Sequence, residues 1–150
     1  MSVVALISWT VTGGLGLFLL AIWLIEYDRD FQRAAATRLP VPVISAHALL
    51  AVVGLVVWVS YILLDNRRLA WTALIILATG AMLGLIMAVR WIGVYRTFTA
   101  AKTGAAPDPA SAEPAIPPER NFPVPVVIAH GLFAVTTLAL VLITAVGAST

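Results

Sequence analysis

The stretch Leu39-Pro40-Val41-Pro42-Val43-Ile44-Ser45-Ala46-His47-Ala48-Leu49-Leu50-Ala51-Val52 returns 83 residues later as Phe122-Pro123-Val124-Pro125-Val126-Val127-Ile128-Ala129-His130-Gly131-Leu132-Phe133-Ala134-Val135. The copies share Pro, Val, Pro, Val, Ala, His, Leu, Ala and Val, and they hold the only two histidines of the chain. Each histidine therefore stands at the same point of its own apolar run, seven residues past an opening proline.

A second correspondence surrounds the first at an offset of 68: Leu15-Gly16-Leu17, Trp23 and Tyr27 align with Leu83-Gly84-Leu85, Trp91 and Tyr95, and Thr12 aligns with Gly80. The two offsets differ by 15 residues, the extra length of a Pro/Ala-rich segment in the second half. The pattern reads as two tandem copies of one two-helix unit, residues 1–64 and 69–150.

With 61% hydrophobic and only 11% charged residues among 150, the chain carries more apolar side chain than an aqueous fold can hide. The expected fold class is all-α, a four-transmembrane-helix bundle made of two parallel helical-hairpin repeats. The spans are read as 3–25, 41–64, 71–92 and 123–148, each long enough to cross a hydrocarbon core of roughly 30 Å. Pro40 and Pro42, like Pro123 and Pro125, open helices where their missing N–H groups cost least. The turn Asp65-Asn66-Arg67-Arg68 is short enough to make its helices antiparallel neighbours. Residues 99–121, with Pro107, Pro109, Pro114, Pro117 and Pro118, are expected to form an extended or partly disordered loop.

Basic residues are unevenly divided. Arg29, Arg33, Arg38, Arg90, Arg96, Lys102 and Arg120 fall on one side, and Arg67 and Arg68 on the other. The positive-inside rule places connectors 26–39 and 93–122 in the cytoplasm and both termini outside, in a bacterial inner (plasma) membrane. Trp23, Tyr27, Trp91 and Tyr95 are expected at the inner interface, and Trp9, Trp58, Tyr61 and Trp71 toward the outer half. The small net charge of +2 gives no nucleic-acid patch.

No cysteine is present. Disulfides, zinc-cysteine sites, iron-sulfur clusters and covalently attached c-type haem are excluded together. Nothing resembles a nucleophile-base pair, a phosphate loop or a carboxylate dyad, so an electron-transfer subunit is expected ahead of a stand-alone enzyme. Glu26, Asp28 and Asp30 alternate with arginine and read as a solvated connector.

An ionisable residue inside a membrane is costly and tends to carry function. Parallel repeats put His47 and His130 at one depth, facing one another if helices two and four meet across the symmetry axis. Three uses compete: axial ligation of one haem b by two imidazoles, a quinone contact or proton relay, and an interhelical hydrogen bond. For haem, the iron ligands are His47 and His130, and Ala51, Gly54 and Ala134, with Thr137, leave a stripe of small residues beside them. Small residues also suit bare helix-helix contact, as Thr12/Gly16 and Gly80/Gly84 do. Arg90, then Arg38 and Arg96, are the candidate partners for propionates. Met82 and Met87 read as filler.

In its four-helix layout and its His47/His130 pair, the chain resembles four-helix membrane b-type cytochromes: the haem-bearing anchor subunits of respiratory dehydrogenases and the cytochrome b561-like proteins. That resemblance implies electron passage between a partner subunit and quinone. Expected partners are the lipid bilayer and a larger membrane or respiratory complex, with a homodimer left open. The rival class is a cofactor-free accessory or scaffold subunit, and a transporter is a third. Absence of cysteine rules out vitamin K epoxide reductase-like four-helix proteins.

Overall fold

The computed structural model of the chain describes residues 1–29, 37–103 and 117–147. It contains α1 (Ser2–Arg29), α2 (Val41–Leu64), α3 (Arg67–Thr103), a 3-10 turn (Pro118–Asn121) and α4 (Val124–Gly147), with no strand among the described residues. All four α-helices are long and apolar enough to cross a membrane. The protein is an all-α, four-helix membrane bundle.

Both proline boxes open their helices in the same way. The Pro40 carbonyl accepts from Val43 and Ile44, and the Pro123 carbonyl from Val126 and Val127, so the second proline of each box sits in the first turn, where no N–H is missed. Between α2 and α3 only Asp65 and Asn66 leave the helix. Asp65 adopts the left-handed conformation at φ 46°, and the Asn66 side-chain oxygen accepts from the Arg68 N–H to cap α3.

The third helix is longer than expected. It begins at Arg67, four residues before the expected start, because Asn66 caps it there, and it runs past Ile92 to Thr103 because no proline interrupts it. Residues 99–103 are therefore helical and 118–121 form a 3-10 turn, in place of one continuous loop from 99 to 121. The rest of that expected loop, 104–116, lies outside the described residues, as do Asp30, Arg33, Ala148 and the side chains of Asp28, Arg29 and Lys102.

Helix α1 packs most closely on α4, and α2 on α3. The bundle is thus two antiparallel pairs laid against each other, with the seams α1/α2 and α3/α4 less extensive. Fully buried side chains gather in two layers. Near the end that carries the N-terminus are Ala5, Trp9, Trp58, Tyr61, Ala70, Ala73, Val141 and Ala145. Near the opposite end, where the proline boxes lie, are Trp23, Leu39, Trp91, Val94, Pro118 and Glu119. Trp9, Trp58 and Tyr61 are core residues at the N-terminal end, since α2 turns its aromatic face inward and the Trp58 indole donates to the Ser2 carbonyl. Trp71 alone of that group is exposed.

The second layer is closed by a clasp. The buried Glu119 carboxylate accepts from the Thr37 hydroxyl at 3.0 Å and from the Arg38 backbone N–H, while its backbone carbonyl accepts from the Trp91 indole. The Trp23 indole donates to the Thr37 hydroxyl oxygen at 3.3 Å. The aligned tryptophans of α1 and α3 thus both tie down the segment that leads into the next helix.

Glu119→Ala removes the acceptor of two protein donors. It should lower stability by about 1–3 kcal/mol, read as a fall in the thermal unfolding midpoint in detergent, and Glu119→Gln, which keeps one carbonyl oxygen, should lose less.

Candidate functional site

Between the two buried layers the packing changes. Across residues 10–22 of α1, 41–53 of α2, 74–90 of α3 and 124–136 of α4, all of them described, Gly80 alone is buried. Lipid-facing positions are expected to be open, but inward positions here are open as well: Ala51, Ala134, Gly16, Gly84 and both histidines are only partly covered. Side chains do not seal the middle of the bundle. The histidines lie in that unsealed layer.

His47 reaches from α2 to α3, and its Nδ1 lies 2.9 Å from the Gly80 carbonyl oxygen. His130 reaches from α4 to α1, and its Nδ1 lies 3.0 Å from the Thr12 carbonyl oxygen. A carbonyl only accepts, so in both rings Nδ1 carries the proton and Nε2 keeps its lone pair. Neither Nε2 has a hydrogen-bond partner among the described residues. Neither is sealed, since no buried side-chain nitrogen or oxygen among the described residues lacks a partner.

Glycine makes this approach possible. Because a helical Cα–Cβ bond leans toward the N-terminus, the side chain at i+4 covers the carbonyl at i. Gly16 leaves the Thr12 carbonyl bare, and Gly84 leaves the Gly80 carbonyl bare. A Cβ on Gly16 would lie 2.9 Å from His130 Cε1, and one on Gly84 would lie 3.0 Å from His47 Cε1. The residues aligned at the offset of 68 thus seat the two histidines alike.

The ring centres lie 6.2 Å apart, with the planes inclined at 73°. Two metal–imidazole bonds of about 2.0–2.1 Å, each extended by roughly 1.1 Å from nitrogen to ring centre, would separate the centres by about 6.2–6.4 Å if both nitrogens pointed at one metal. No group of three or more His, Cys, Asp or Glu side chains that could hold a metal occurs among the described residues. Two imidazoles alone complete no common protein metal site, but they do complete a haem iron, whose macrocycle supplies the other four nitrogens. The donor set and its spacing fit that group. Ligating histidines characteristically donate their second nitrogen to a carbonyl or carboxylate, as both do here.

The other expected residues divide. Ala51 and Ala134 lie one turn from the histidines, half-buried. Gly54 is instead filled from the side: a Cβ there would lie 2.9 Å from the Trp9 ring and 3.1 Å from Ile76. Thr137, at the matching position of α4, joins a hydroxyl cluster, 2.8 Å from the Ser8 hydroxyl and 3.3 Å from that of Thr12. The i+7 positions therefore lock helices together.

Arg90 and Arg38 meet, for Arg90 Nη1 donates to the Arg38 carbonyl at 2.8 Å. Arg90 stands six residues beyond Gly84, about 9 Å along α3 from the His47 seat toward the clasp, and Arg38 and Arg96 are exposed at that end. Thr12, Gly16, Gly80 and Gly84 were readable as packing residues but not as histidine seats. The signal that marks them is their alignment at the same offset on the two helices that bear no histidine. The chain matches no protein-family model, no curated protein and no solved structure.

Thr137→Val keeps the shape but removes the hydroxyl that bridges α4 to α1. It should cost about 0.6–2 kcal/mol of stability, measured by thermal unfolding in detergent, while leaving both histidine seats in place.

Proposed function

We propose that the chain is a membrane b-type cytochrome that holds one haem between His47 and His130 and serves one-electron transfer within a larger respiratory or quinone-linked assembly. The observation that carries this reading is a pair of imidazoles, each fixed through Nδ1 and free at Nε2, at a spacing that suits one metal in an unsealed layer. When bound, haem supplies a reversible one-electron couple. The protein's part would be to hold the haem through His47 and His130, a two-imidazole donor set that favours electron transfer over oxygen activation.

Arg90 and Arg38 stand where cations would neutralise propionates, at the end of the bundle closed by the Glu119 clasp. Arg96 is a third cation at that end. The charge bias across the helices supports a bacterial inner membrane location with connectors 26–39 and 93–122 cytoplasmic and both termini outside. The donor or acceptor is a partner subunit or membrane quinone.

Protein purified from haem-replete cells should be red, with about one haem per chain by pyridine haemochrome assay and a Soret band that sharpens on dithionite. His47→Ala and His130→Ala should each abolish that band. A colourless, folded preparation would overturn the reading in favour of a cofactor-free scaffold subunit.

A further inference from the structure

Each imidazole is held at two points. On one edge Nδ1 donates to a helix carbonyl, and beside it Cε1 rests against a glycine, where a Cβ would lie 2.9 Å away at Gly16 and 3.0 Å away at Gly84. Together with the Cβ–Cγ bond, two such contacts fix the plane of a ring as well as its position. The planes so fixed stand 73° apart. Nothing in the two histidine boxes demands that angle; it follows from where the Thr12 and Gly80 carbonyls lie on α1 and α3.

We propose that Gly16 and Gly84 are positioning residues that hold the His130 and His47 planes nearly perpendicular and thereby set the electronic state of the iron between them. The inference rests on the haem reading above. An imidazole donates π density to the iron d orbital that lies perpendicular to its own plane. Parallel rings raise one member of the iron's π pair and split it from the other. Near-perpendicular rings raise both alike, so the pair stays close to degenerate. Splitting stabilises the ferric ion, whose vacancy settles in the upper orbital, and rings held apart withhold that stabilisation. The seats therefore bias the couple toward the reduced form, through residues that offer the iron no ligand.

The test is frozen-solution electron paramagnetic resonance of the oxidised, detergent-purified holoprotein, with a potentiometric titration beside it. The wild type should give a single, strongly anisotropic low-field feature and not the three-line rhombic spectrum of near-parallel ligands. Gly16→Ala should displace the His130 ring, and Gly84→Ala should shift the His47 ring by a few tenths of an ångström. With haem content retained, both should move the spectrum toward the rhombic form and lower the midpoint potential. Gly13→Ala is the control, because a Cβ there meets nothing within 4 Å, and it should change neither readout.

A rhombic wild-type spectrum from haem-bearing protein overturns this inference and leaves the haem reading standing. An anisotropic spectrum that persists unchanged in both alanine variants also overturns it. Absence of haem from the wild type overturns the functional reading and this inference with it. Should an alanine variant fail to accumulate, the wild-type spectrum still decides, since it needs no substitution.

Discussion

A helix carbonyl is already engaged within its own helix, and it can take a second donor from a neighbour only where nothing stands over it. That constraint governs this bundle. Thr12 and Gly80 offer such carbonyls because Gly16 and Gly84 follow them by four residues, and His130 and His47 use them. The bond draws α4 onto α1 and α2 onto α3, which are the closest helix pairs in the molecule. It also makes Nδ1 the donor of each ring. The same two glycines thus serve both the helix contacts and the seating of the rings.

The remaining architecture keeps that layer open without loss of cohesion. Apolar burial is concentrated above it and below it, in the aromatic cluster around Trp58 and in the clasp around Glu119. In lipid the hydrophobic effect does little to join helices, so packing and hydrogen bonds must do so. The two halves solve this differently away from the histidines. Beside α1 the Ser8, Thr12 and Thr137 hydroxyls join α1 to α4. At the aligned places of the other pair stand Ile76, Gly80 and Gly54, with the Trp9 ring laid against Gly54. Arg90 on α3 likewise aligns with Ile22 on α1. Equivalent seats within unlike surroundings are what a duplicated unit would retain if the histidine geometry, and not the packing, were held constant.

Much of this was legible in the residues. Long uncharged runs, the opening prolines and the Asp65-Asn66 turn determine four helices directly, since each is a local property of the chain. The histidine pair was legible because the two boxes match. What the sequence could not display is the acceptor of each histidine: a backbone carbonyl belongs to every residue alike, and only the missing Cβ four places on distinguishes Thr12 and Gly80. Glu119 was hidden for a different reason. It stands in a Pro-rich segment whose composition indicates exposure, yet it is buried by Thr37, Arg38 and Trp91 from distant parts of the chain. The length of α3 was underestimated because hydropathy ends where the membrane does, whereas a helix ends at a breaking residue.

The absence of a third ligating side chain among the described residues bears on the kind of chemistry the site can host. A metal centre built from protein alone requires further donors to complete its coordination, and an intramembrane relay requires a path of titratable groups beyond two rings. Here the polar groups nearest the imidazoles are carbonyls already used as acceptors, and the hydroxyl cluster of Ser8, Thr12 and Thr137 bonds within itself and to helix carbonyls. Under the proposed reading, rigid seats on both sides also limit how far the ligands can move when charge changes, and small movement is what rapid electron exchange requires.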